Sequence, residues 1–143
     1  MHKFTIALDW QGGRNAVGEL HLHQSSTAIS IPKEMQGPDE GTNPDEMLLG
    51  AAATCYIISL AAILEASGVV ATITMKSEGF VEQQQQLTYK KIIHYPHICI
   101  EDASKERLTA RIAQKAERTC MISRALSGNV DIALDVKITV KEG

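Results

Sequence analysis

Apolar and polar residues alternate over residues 3–8, with Phe4, Ile6 and Leu8 on one side and Lys3, Thr5 and Ala7 on the other. A period of two marks a half-buried strand. The paired glycines in Gln11-Gly12-Gly13-Arg14-Asn15 predict a turn next, because glycine accepts positive φ at no steric cost. Alternation resumes over residues 18–23 through Leu20 and Leu22, and residues 28–31 predict a third short strand. Pro32, Gly37, Pro38 and Gly41 break up the stretch that follows, so residues 32–42 read as a loop.

The pattern then changes period. Asn43 is a good N-cap, Pro44 suits the first helical position, and Asp45 and Glu46 offset the positive end of a helix dipole, with Glu46 at the capping-box position. This predicts a helix from residue 43 to residue 67, stopped by Gly68. Met47 to Leu64 runs eighteen residues without a charge, which reaches the length of a membrane span. Its alanines, Gly50, Thr54 and Ser59 make it weakly apolar, and Asp45, Glu46 and Glu65 flank it in place of Lys or Arg. The reading adopted is therefore a helix buried in protein on every side.

Residues 69–95 are strand-like, with a hairpin connection near Gln83–Gln86, and Pro96 is expected to interrupt before a short strand over residues 97–100. Asp102 or Ser104 caps a second, amphipathic helix in which Leu108, Ile112 and Ala116 recur at intervals of four. A short helical piece, residues 121–126, stops at Ser127-Gly128. Over residues 130–140, Val130, Ile132, Leu134, Val136, Ile138 and Val140 point one way in a last strand. The order βββ–α–ββ–α–β gives an α+β class.

Composition narrows the function. The 143 residues fit one domain, 1–143, without repeats or an internal linker. Only six side chains are aromatic (Phe 2, Tyr 3, Trp 1), so the core must be aliphatic and stands to gain from a partner subunit. Lys+Arg 14 against Asp+Glu 17 gives a net charge of −3, and no basic run exceeds Lys90-Lys91. That excludes the positive stripe a nucleic-acid partner needs. Three cysteines without a CxxC pair do not make a disulfide framework. The N-terminus lacks the apolar run of a signal peptide, so the expected compartment is the reducing cytoplasm.

Cys55 falls mid-helix among Ala51, Ala52, Ile58 and Ser59, whose small side chains leave room for a second helix or a ligand. It fits either a small buried hydrophobe or a reactive thiol. Cys120 stands at a break between helical segments, where the same two readings hold, and Cys99 alternates with Ile98 and Ile100 as strand filler. Arg14, on its double-glycine turn, is a solvated loop charge or a guanidinium reaching inward to a thiolate or carboxylate. His94, His97 and Cys99, with His21 and His23 elsewhere, do not match a zinc spacing, so no metal is expected.

Together, Gly12-Gly13-Arg14, the stretch from Gly41-Thr42-Asn43-Pro44-Asp45 to Ala53-Thr54-Cys55, and Ala116-Glu117-Arg118-Thr119-Cys120 through Gly128-Asn129-Val130 resemble the OsmC/Ohr family. This is the family of osmotically induced and organic-hydroperoxide-resistance proteins, and the resemblance spans essentially the whole chain. It implies antiparallel sheets around a long buried helix in an intertwined homodimer with its active sites at the subunit interface. It also implies a thiol peroxidase with no cofactor. Cys55 would attack an organic hydroperoxide and become a sulfenic acid. Cys120 would resolve it as a disulfide, and an external dithiol, a lipoyl protein in some relatives, would reduce that bond. The resemblance assigns Arg14 to the thiolate and the peroxide oxygen, and a carboxylate after Pro44 to orient the arginine. Here that residue is Asp45 where the family carries Glu, so Glu46 is the other candidate. Cys55 is the thirteenth residue counting from Asn43, too far along for the dipole to activate it. Asp45 and Cys55 stand roughly 15 Å apart along one helix, which points to a site shared between subunits. Two other readings use the same dimer: a binding module for a hydrophobic ligand, and a thiol redox sensor.

Overall fold

Residues 1–142 are described by the computed structural model. They fall into two units, Met1–Met47 and one beginning at Leu48. The first holds an antiparallel sheet of β1 (Ala7–Asp9), β2 (Gly18–His21) and β3 (Ser26–Ile29), in that order. β1 starts later than the alternation predicts. β2 ends opposite Ala7, at His21, so Phe4 and Ile6 have no partner strand and stay exposed. The loop after β3 contains one 3-10 turn, Lys33–Met35, and is pinned to that strand by Thr42 N–H to the Ala28 carbonyl (2.9 Å) and Ser30 N–H to the Thr42 carbonyl (3.1 Å). Gly41 has φ +70°, and a Cβ there would run into the Ala28 carbonyl, so only glycine lets the loop close so tightly.

α1 (Pro44–Ala66) begins as the sequence predicts. Asn43 Oδ1 accepts the Glu46 N–H at 3.0 Å, and the Glu46 carboxylate accepts the Thr42 hydroxyl at 2.7 Å. In the second unit α1 buries a single row, Ala52, Tyr56, Leu60 and Leu64. Each large member of such a row contributes roughly 1.5–3 kcal/mol. The opposite face, with Gly50, Ala51, Thr54, Ile58, Ala61 and Ala62, is exposed. In the single chain the helix is thus buried along one stripe and not on every side.

The second sheet is built on β4 (Ala71–Gln83) and β5 (Leu87–Ile100), a long antiparallel pair. The hairpin turn falls at residues 84–86, as predicted. β5 runs straight through Pro96, contrary to expectation. The reason is local. The His94 carbonyl accepts the Asp135 N–H at 2.9 Å, so Pro96, two residues on, turns its nitrogen to that same edge. There β6 (Asp131–Leu134) has ended and β7 (Lys137–Val140) has not begun, and no ladder bond is lost. The single last strand of the sequence reading is therefore two, and both pair with β5 in parallel. The crossover through α2 (Glu106–Thr119) and α3 (Met121–Leu126) makes parallel pairing feasible. The α+β class stands, with antiparallel pairing in the first sheet and in β4–β5.

α2 follows a 3-10 turn whose cap is Asp102, accepting from the Ser104 N–H at 2.9 Å. Its buried row is Thr109, Ile112, Ala113 and Ala116, of which the last three join Tyr56, Leu60 and Leu64 of α1 and Ile98 and Ile100 of β5 in the main core. A smaller cluster joins Ala52 of α1 to Ile92 and Val130, with Leu49, Ile122 and Leu126 against it. That second cluster seats α3 on α1.

Candidate active site

Two cysteines meet where α3 lies on α1. Cys55 and Ser59 are one turn apart on the half-buried row beside the buried stripe of α1. Cys120 is the single residue between α2 and α3, with φ −60° and ψ 125°. Its extended backbone breaks the helix, and its amide closes α2 on the Ala116 carbonyl at 3.0 Å. The break turns its side chain inward, fully buried, while Cys55 stays part-exposed.

The thiols hydrogen-bond to one another, but their surroundings differ. Burial pushes the Cys55 thiol up. Hydrogen bonds from Cys120, the Ile122 and Met121 amides and the Ser59 hydroxyl outweigh it, so the thiol lies below its ordinary value. For Cys120, burial and the bond it donates to Cys55 push the thiol up, and a charge on Cys55 would push it further. The Ser123 hydroxyl and amide pull the other way without cancelling this. The arrangement favours a Cys55 thiolate that receives a hydrogen bond from a Cys120 thiol. A thiolate is the nucleophile, and it is also the sulfur that solvent reaches.

Arg14 and Asp45 belong to the first unit. The Arg14 guanidinium donates to the carbonyls of Met35 (2.6 Å) and Gln36 (3.3 Å) and to Asn15 Oδ1 (2.9 Å). It is thus fixed to the loop after β3. Asp45 stands in the first turn of α1, and the Glu46 carboxylate is engaged by Thr42. Cys99 and His97 share the outer face of β5, where His97 Nε2 pairs with Thr139 Oγ1 at 2.8 Å. His94 is on the opposite, inner face, fully buried and stacked on Tyr56 with ring centroids 5.2 Å apart. Its Nδ1 pairs with Ser77 Oγ at 2.6 Å. The histidines near Cys99 thus do not converge. His21 pairs with Asp9 (3.3 Å) and Glu19 (3.8 Å).

The sequence reading missed Ser59, Ser123 and the Met121 and Ile122 amides as partners of the thiols. Ser59 carried one usable signal, a hydroxyl four residues after a cysteine in a helix. The others depend on α3 docking on α1.

A family model described as OsmC-like protein matches residues 37–135. The uncharacterized protein YmaD of Bacillus subtilis is 51% identical over 142 residues, covering 96% of this chain and 95% of its own. Among solved structures, an OsmC-like protein from Vibrio cholerae superposes with a TM-score of 0.82 at 13% identity, covering 95% of this chain and 99% of its own. An organic hydroperoxide resistance protein OsmC from Legionella pneumophila gives a TM-score of 0.75 at 22% identity, covering 96% and 99%.

Proposed function

This chain belongs to the OsmC-like protein family, and on that premise we propose that it is a thiol peroxidase for organic hydroperoxides. The observation that carries the reading is the paired cysteines: a part-exposed, acid-shifted Cys55 hydrogen-bonded to a buried Cys120. The name of the Legionella protein, which has the same fold, supports the substrate class.

In the proposed cycle the Cys55 thiolate attacks the peroxide oxygen. An S–O bond forms, the O–O bond breaks, and the alkoxide leaves as the alcohol by taking from solvent the proton that Cys55 released on ionising. Cys120 then attacks the Cys55 sulfenic acid, forming a disulfide and releasing water. A dithiol restores both thiols. The hydrogen bonds at Cys55 stabilise the nucleophile before substrate arrives. Arg14 is proposed to supply positive charge to the peroxide and Asp45 to orient it. The fixed seat of Arg14 on Met35 and Gln36 suits a group that must be preorganised. The active form is proposed to be a homodimer joined through the open face of α1. There Ile58 is 62% exposed, and Gly50 and Ala51 let another helix come close.

The test is consumption of cumene hydroperoxide with dihydrolipoamide as reductant. Cys55→Ser abolishes turnover, and Cys120→Ser gives one turnover that ends in sulfenic acid or its over-oxidised forms. Unchanged steady-state activity in Cys55→Ser rejects the mechanism. Full activity in a species that light scattering shows to be monomeric rejects the dimer.

A further inference from the structure

The Ser123 hydroxyl is buried, at 6% residue exposure, and among the described residues it meets no nitrogen or oxygen partner; the group it stands against is the Cys120 sulfur. An unpaired buried hydroxyl is costly, and native structures seldom keep one without a reason. Ser123 stands three residues after Cys120, in the first turn of α3, with its hydroxyl and its amide both beside the Cys120 sulfur. In the resting state that hydroxyl is weakly used, because Cys120 donates its own hydrogen bond to Cys55 and holds its proton more firmly than Cys55 does. A neutral thiol is a weak acceptor. A thiolate is a strong one, and hydrogen bonds to it are charge-assisted.

We propose that Ser123 is a catalytic residue of the resolving step, its hydroxyl and amide receiving the negative charge on Cys120 as that sulfur attacks the Cys55 sulfenic acid. The proposal rests on the peroxidase reading and adds a role that the cysteines alone do not supply. The step balances. Cys120 gives up its proton, and the S–S bond forms as the S–O bond of Cys55 breaks. The departing hydroxide takes that proton and leaves as water. Cys120 sulfur is oxidised and Cys55 sulfur reduced, with no further oxidant needed.

The geometry divides labour between two serines. Ser59 serves the sulfur that meets peroxide and Ser123 the sulfur that closes the disulfide. A hydroxyl that faces only a weakly accepting thiol in the reduced state has a second consequence: removing it costs the reduced fold little. A structural serine would behave in the opposite way.

The experiment is a single turnover of the full-length protein. Reduced wild type and Ser123→Ala are mixed with one equivalent of cumene hydroperoxide and quenched with dimedone at timed intervals. Mass spectrometry counts trapped sulfenic acid, disulfide and sulfinic acid. In Ser123→Ala the rate of sulfenic acid formation is unchanged. Disulfide formation slows by roughly tenfold, the loss of about one strong hydrogen bond to the charged sulfur. The slowing is greatest at neutral pH and narrows as alkali ionises Cys120 without help. More sulfinic acid accumulates at excess peroxide. The melting temperature of the reduced variant is little changed, and Ser123→Thr, which keeps the hydroxyl, recovers the rate. Disulfide formation at the wild-type rate in Ser123→Ala overturns the proposal. So does a slowing that Ser123→Thr does not relieve and that tracks a fall in melting temperature. If wild type itself traps no sulfenic acid and forms no disulfide, the peroxidase reading fails, which is a different result from either.

Discussion

Acidification removes stability through His94. The imidazole is fully buried and stacked on Tyr56, its Nδ1 is held by Ser77, and its Nε2 has no partner among the described residues. In the doubly protonated ring Nε2–H is a charged donor without an acceptor, whichever nitrogen holds the first proton, and burial holds the group below its ordinary value near 6.5. The unfolded chain takes up the proton more easily than the folded one. The His94 contribution to stability is therefore complete above about pH 6.5 and shrinks as pH falls below it. The limiting slope for one proton is about 1.4 kcal/mol per pH unit. Against a total of roughly 5–15 kcal/mol for a domain, one unit of acidification is a visible loss. Urea unfolding at pH 7.5 and 5.5 measures it, with His94→Gln as the variant that cannot titrate. His94→Gln has lower stability at pH 7.5, from lost packing and stacking, but a flatter pH dependence than wild type over this interval. Carboxylates elsewhere titrate in both proteins and cancel in the difference. Equal losses in wild type and variant would refute the reasoning.

Two further outcomes follow from the same structure. Tyr56→Phe removes the buried hydrogen bond from the phenol to the Ala113 carbonyl, 3.0 Å long, that ties α1 to α2. It costs about 1 kcal/mol in a denaturant midpoint, because that carbonyl stands within α2 and keeps its helical partner. Ser59→Ala takes one donor from the Cys55 sulfur, so the pH midpoint for its alkylation by iodoacetamide rises and alkylation at neutral pH slows several-fold.

The start of α1 was readable from sequence because Asn43, Pro44 and Glu46 act over a few neighbouring residues. The hairpin at residues 84–86 was readable for the same reason. Pro96 misled because its cost depends on whether a neighbouring strand needs its N–H. That was decided by the gap between β6 and β7, set far along the chain. The alternation over residues 130–140 gave the inward face from Val130 to Ile138 but not at Val140, which is exposed, and it could not show the break at Asp135–Val136 or the parallel pairing. Cys55 and Cys120 stood out through family resemblance. What distinguishes them physically, one reachable and one enclosed, comes from α3 lying on α1. The uniform apolarity of α1 pointed to burial on all sides. The single chain covers one row and leaves the face of small residues open.

The unequal exposure of the two sulfurs sets the traffic of the proposed cycle. Cys120 is sealed, and of the two sulfurs Cys55 is the one that solvent reaches. Oxidant and reductant must both come to the same atom, so each has to leave before the other enters, and the kinetics are those of a ping-pong exchange. A dithiol entering there cleaves the disulfide at Cys55 and expels Cys120 as an anion. The residue that eases closure of the bond by receiving that anion then also eases its opening, so Ser123 would speed the route in both directions without favouring either end.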